Sequence, residues 1–175
     1  MNEQVLVRYH GVARSLHWII AIAIVAEIAM GLGHDAMKDV FAAMPIHKAT
    51  GITILVLSLL RLAWRATHSA PPLPASMPNW QVGLAHGLHW LFYFMLIAVP
   101  LTGWVMASAG KSPIEWFGLF TIPKWPVDKD NPIAGFAHEA HEVMGLLLIP
   151  LILLHIGAAL YHHIVLKDDV ARRML

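Results

Sequence analysis

The sequence predicts an all-α fold, a bundle of four transmembrane helices, and three observations predict it. Of 175 residues, 58% are hydrophobic and only 13% are charged, whereas a soluble domain carries about 25% charged residues. Four apolar segments each approach the roughly 20 residues that take a helix across about 30 Å of hydrocarbon. No segment shows the period-two alternation of a membrane barrel strand, and unpaired backbone cannot sit in lipid. The composition also excludes a soluble enzyme, because it would expose a large apolar band to water.

The segments fall at about 16–33, 47–66, 86–107 and 138–163, and residues 1–175 read as a single membrane domain. The first starts too late and lacks the small-residue cleavage site of a signal peptide. The second follows Pro45 with His47 near its start, the third contains Pro100 and the fourth contains Pro150. Gly33 to Ile46, the proline-rich run Ala70 to Pro78 and the stretch Ala109 to Phe136 read as loops. Arg8, Arg14, Arg61, Arg65, Lys167, Arg172 and Arg173 fall on one side and five lysines on the other, so the positive-inside rule places both termini in the cytoplasm.

The formal charge of +1 supplies no basic field for nucleic acid. Zero cysteines remove disulfides, thiolate zinc sites, iron–sulfur clusters and covalent haem attachment, which leaves histidine, carboxylate and methionine as metal ligands. Twelve histidines are the anomaly in so apolar a chain, and polar residues within membrane segments point to function. His141 and His155 are 14 residues apart, within 40° of one face at 100° per residue and about 21 Å apart along the axis. They therefore sit at two depths of one bundle. Segment two runs parallel to segment four and segment one runs against it, so His47 is level with His141 and His17 lies toward the depth of His155. Two His/His pairs, each facing across a gap, suit bis-imidazole ligation of two low-spin b-type haems and electron transfer.

Residues one turn from these histidines should be small if a flat macrocycle lies along the helix. They are Ala13 and Ala21, Ala43 and Gly51, Ala137 and Gly145, Leu151 and Ala159. Seven of these eight positions are Ala or Gly, two types that fill 35 of 175 positions, so about one or two would be expected by chance. Close helix packing also selects small residues, but His86, His89 and His138 rarely show the pattern. A single zinc site cannot collect ligands roughly 20 Å apart, and the di-iron Glu-x-x-His motif does not follow Glu27.

The stretches RSLHW (14–18), HKATGITILVLSLLRLAWR (47–65), AVPLTGW (98–104), HEVMGLLLIPLILLHIGAALYHH (141–163) and the closing LKDDVARRML resemble the bacterial cytochrome b561 family over nearly the whole chain. The resemblance implies four helices in the cytoplasmic membrane and two haems, with His17 paired to His155 and His47 to His141. It extends to a family member that oxidises superoxide and reduces ubiquinone. Other relatives are membrane cytochrome subunits of hydrogenases and dehydrogenases, so the fold leaves the donor open.

Further candidates follow from position. Arg61, 14 residues after His47, lies near the inner haem level and suits a haem propionate, with snorkelling to headgroups as the alternative. Arg14 and Arg65 compete for that role, and Lys48 offers the same on the outer side. His162, seven residues after His155, is a candidate for delivering a proton to a quinone held near the start of segment three, where His86 and His89 lie. Interfacial wetting of His162 is the alternative. Glu27, about 15 Å into the membrane from His17, is expected to be protonated or bonded to another helix, and a proton relay is its lesser alternative. Methionines read as packing residues.

The expected function is a di-haem conduit that takes electrons from superoxide outside and passes them to ubiquinone inside. One alternative is a membrane subunit fed by a periplasmic dehydrogenase or cytochrome. The other is a haem-independent transporter or sensor in which the four histidines line a polar path. Lipid and quinone are expected partners; oligomeric state and the role of the Gly110 to Phe136 loop are open.

Overall fold

Backbone groups in hydrocarbon must be satisfied within their own segment, and four long helices meet that demand. A computed structural model describes residues 6–37, 39–74 and 77–175; Lys38, one of the five outward lysines, and Ala75 and Ser76 of the proline-rich run lie outside the described residues. The helices are α1 (Gly11–Met37), α2 (Ala43–Thr67), α3 (Asn79–Ser108) and α4 (Pro132–Leu160), each long and apolar enough to cross a membrane. Each starts four to seven residues before the apolar segment that announces it, because hydropathy marks only the lipid-crossing turns. The start of α4 shows the local cause: Pro132 sits in the first turn, where its missing N–H costs nothing, and Asn131 caps it by accepting from the Ile133 N–H at 2.9 Å. Pro100 and Pro150 both lie inside continuous helices.

The helices pack in chain order, α1 on α2, α2 on α3 and α3 on α4; α4 makes no comparably close approach to α1 or α2 among the described residues. A small apolar cluster of Ile20, Ile24, Ile54 and Leu96, with Ala23, Ile28, Leu57 and Ile152 against it, joins all four helices. Outward residues are the reverse of a soluble surface: Ile22, Leu153 and Phe94 are 70%, 65% and 60% exposed, as expected where lipid rather than water is the solvent.

Two departures from the expected pattern matter for function. The stretch read as a loop contains an antiparallel hairpin, β1 (Ile114–Trp116) paired with β2 (Phe120–Ile122), Trp116 opposite Phe120. Three-residue strands are too short to reveal a period of two. Positive φ at Phe117 and Gly118 turns the chain, and the Leu119 N–H closes the turn on the Trp116 carbonyl. The hairpin is docked rather than free: Ile114 is buried and the Trp116 indole donates to Thr53 Oγ1 of α2 at 2.9 Å. The Trp104 indole donates to the Pro123 carbonyl, and the Trp125 N–H to Ser108 Oγ.

The other departure is at the end of α4, which widens into a π-helical turn at Tyr161–Leu166 before Lys167 takes a left-handed conformation. The helical pitch therefore changes just before His162, and projection at 100° per residue holds only to Leu160. The tail then folds back across the start of α1. The Tyr9 N–H donates to the Arg173 carbonyl, the Trp18 indole donates to the Met174 carbonyl at 2.9 Å, and the Arg173 guanidinium bonds the Pro72 carbonyl.

Candidate haem-ligand sites

The bundle brings the four histidines together in two pairs. The rings of His17 on α1 and His155 on α4 have centroids 6.2 Å apart, and those of His47 on α2 and His141 on α4 are 6.0 Å apart. Two metal–imidazole bonds of about 2 Å and the ring radii together span about this distance. In both pairs the ring on α4 reaches toward a helix from which α4 stands off, which is the spacing that an intervening flat group needs. The residues therefore fit the bis-histidine arrangement, and Pro150 between His141 and His155 does not turn either away from its partner.

Each histidine of the His47/His141 pair is held by a neighbouring helix. His141 Nδ1 lies 2.9 Å from the Val99 carbonyl of α3, so a proton on Nδ1 donates there and Nε2 is left for a metal. The α3 backbone comes this close at Gly103, where a Cβ would lie 2.8 Å from His141 Cε1 and 2.9 Å from Nδ1. His47 faces α1: Gly31 lies against its ring, and Glu27 Oε2 is 2.9 Å from its Nδ1. The carboxyl is off the line of the ring N–H, so this is a close polar contact rather than an aligned hydrogen bond, and Glu27 Oε1 is buried without a partner among the described residues. Glu27 thus touches another helix, although without the hydrogen bond that the sequence leads one to expect.

The His17/His155 pair has a third neighbour. The His89 ring of α3 lies 5.8 Å from that of His155, as near as His17 does, and Phe92 packs edge-on at 5.4 Å. Small residues beside His17, against Ala85 and Tyr93 beside His89, distinguish the two. His86 is exposed at the start of α3.

Arg61 turns inward: one guanidinium nitrogen donates to the Ala13 carbonyl of α1 at 3.0 Å, and the group lies over the Tyr93 ring. It lines a small cavity with His10, Arg65, His68 and Tyr93, where Trp64 and His68 stack at 3.8 Å. Arg65 bonds the His68 carbonyl, and Arg14 lines a separate groove with Trp18 and Met174. Lys48 is half-buried beside His47. His162 is half-buried, and its Nδ1 lies 2.6 Å from Asp168 Oδ2, whose other oxygen accepts from the Val170 N–H.

Sequence spacing missed Gly103, Asp168 and the approach of His89. The AVPLTGW stretch carried the first as an unexplained glycine, and the other two depend on how helices turn against each other.

Residues 8–175 match the family model described as prokaryotic cytochrome b561. The chain is 30% identical over 173 residues to cytochrome b561 homolog 2 of Escherichia coli K12, covering 96% of this chain and 91% of that one. It is 31% identical to the probable superoxide oxidase CybB of Yersinia pestis, covering 96% of both, and 31% identical to cytochrome b561 homolog 1 of Escherichia coli K12, covering 91% and 92%. With four membrane helices, the chain is a multi-pass bacterial membrane protein of electron transfer that binds b-type haem, and it belongs to the prokaryotic cytochrome b561 family.

Proposed function

We propose that the protein binds two b haems, the inner one between His17 and His155 and the outer one between His47 and His141, and passes electrons from the outer face of the inner membrane to ubiquinone on the cytoplasmic side. The observation that carries this reading is the pair of facing histidines at each of two depths in one bundle. When bound, haem supplies one-electron transfer between the two faces. Both termini are cytoplasmic by the distribution of arginine.

The protein's own groups serve the two ends. Arg61 retains guanidinium donors for an inner propionate after its bond to Ala13, with Arg14 and Arg65 as competitors, and Lys48 serves the outer level. On the inner side His162, braced by Asp168, presents Nε2 as a proton donor to quinone. On the outer side superoxide is the preferred donor, as the printed name of the Yersinia relative suggests, and Lys48 and the other lysines attract it locally against a net acidic face. Each superoxide gives one electron and leaves dioxygen. A quinone takes two electrons and two protons to become quinol, so two donors feed one acceptor.

A second reading, a subunit fed by a periplasmic dehydrogenase or cytochrome, is favoured by one feature. The docked outer hairpin exposes Phe117, Leu119 and Phe120 at 50%, 74% and 54%, an apolar tip suited to a protein partner. The test is a reduced-minus-oxidised spectrum with haem quantification on purified protein, followed by superoxide with and without a ubiquinone analogue. Two b haems reduced by superoxide and reoxidised by quinone are expected. Two haems that ignore superoxide favour the partner-fed subunit, and no haem refutes the ligand assignment.

A further inference from the structure

The outer pair of histidines is not symmetric in what stands behind it. His141 is backed by a neutral backbone carbonyl, Val99 O at 2.9 Å, whereas His47 is backed by a carboxyl, Glu27 Oε2 at 2.9 Å from Nδ1. Glu27 is costly where it is, mid-helix in α1 with its side chain only 12% exposed in a span that crosses lipid. His47 is its one ion-pair partner among the described residues, and its second oxygen is buried without any. Gly31, one turn further along α1, lies against the same ring, its Cβ position 3.5 Å from Cε1. Across the interface Gly51 of α2 leaves room for the carboxyl, its Cβ position 3.7 Å from Oε2. One face of α1 thus presents a glycine to the edge of the imidazole and a carboxyl to its nitrogen. The terminal torsion of a glutamate is broad, so the carboxyl is free to turn toward the Nδ1–H from 2.9 Å away.

We propose that Glu27 is a positioning residue for His47: its carboxylate fixes the Nδ1–H tautomer, aims Nε2 at the outer site, and lowers the reduction potential of the haem held there relative to one backed by neutral groups alone. This rests on the haem reading above. The physical cause is electrostatic: a negative charge behind a ligand makes the imidazole more basic and stabilises the ferric state, which carries one more positive charge than the ferrous. A charge acting in a low-dielectric interior is poorly screened and its effect falls with distance, so the nearer centre shifts most and the inner one, at another depth, shifts less.

The test is a potentiometric titration of the purified holoprotein in lipid nanodiscs, followed by visible and EPR spectra. The two signals are assigned by their loss in His47→Ala and His155→Ala. Glu27→Gln keeps the volume and an accepting oxygen but removes the charge. The expected result is two haems retained and the outer midpoint raised by at least tenfold in the ferric–ferrous equilibrium, about 59 mV for a one-electron couple, with a smaller shift of the inner midpoint. An unmoved outer midpoint, or equal shifts of both, overturns the proposal. If Glu27→Gln loses the outer haem, Glu27→Asp decides: retention of the haem with a low midpoint supports a role for the charge, and loss in both variants shows that Glu27 acts by its shape and overturns it. Absence of haem from the unsubstituted protein would instead refute the haem reading, so the two failures are distinguishable.

Discussion

Gly103→Ala is the most discriminating small change in the molecule. The new methyl would sit 2.8 Å from His141 Cε1 and 2.9 Å from Nδ1, some ~0.7 Å inside a normal carbon contact of ~3.5 Å. Neither side yields easily: Gly103 is backbone within α3, and His141 is tethered to the Val99 carbonyl of the same helix. The ring must therefore swing and lose that bond. An off-rotamer side chain costs ~0.5–1.5 kcal/mol and a lost hydrogen bond ~0.5–1.5 kcal/mol. Together these come to ~1–3 kcal/mol, or ~5–150-fold in affinity for the group His141 holds. The assay is haem per chain by pyridine haemochrome, with a redox difference spectrum to show which centre is lost. The outer haem should be depleted and the inner retained. Gly83→Ala, where a Cβ meets nothing within 4 Å, should leave both. A Gly103→Ala protein with two haems and unaltered potentials would falsify the placement of His141 against α3.

Other predictions follow from the same geometry. Gly145, one turn from His141, has nothing within 4 Å of its Cβ position, so Gly145→Leu should be tolerated by the protein alone yet exclude the outer haem; chains that insert normally but carry one haem by spectroscopic count are expected, and two haems would contradict the ligand assignment. His89→Ala should keep both haems and His17→Ala should lose the inner one, since both rings lie near His155 but only His17 is flanked by small residues on both sides; the reverse pattern in the haemochrome assay would make His89 the ligand. Asp168→Asn, which weakens the 2.6 Å contact to His162 Nδ1, should slow quinone reoxidation of the prereduced protein about tenfold or more, a typical span for a positioned proton donor, with haem content unchanged. Unchanged reoxidation in stopped flow would remove His162 from proton delivery.

The fold was legible because its cause is local. A run of about 20 apolar residues has few structural options in lipid, so four such runs yield four helices whatever their tertiary contacts. The ends were less legible, since hydropathy is silent on the turns that extend each helix into the headgroups, as at Pro132 with its Asn131 cap. The hairpin was not legible at all. Its strands pair over three residues each, and it is held by distant partners such as Trp116 on Thr53, a contact between positions 63 residues apart that no periodicity encodes. The π-helical turn after Leu160 escaped for a related reason: a change of helical pitch alters which residues share a face without altering composition.

The candidate sites divide along the same line. Spacing along α4 put His141 and His155 on one face, and small residues one turn away marked the helices opposite, because both signals lie within single helices. What orients the rings lies on other helices. His141 is directed by α3 through Val99 and Gly103, and His47 by α1 through Glu27 and Gly31. The His47/His141 pair, carried by only α2 and α4, therefore depends on all four helices. α4 has no close packing of its own against α2 among the described residues, so these side-chain and backbone braces set where His141 and His47 meet. A substitution of a bracing residue on α1 or α3 that replaces no proposed ligand should consequently alter the His47/His141 site as strongly as one beside these histidines on α2 or α4, whereas a lipid-facing change such as Ile22→Leu, at a residue 70% exposed, should leave both sites unaltered.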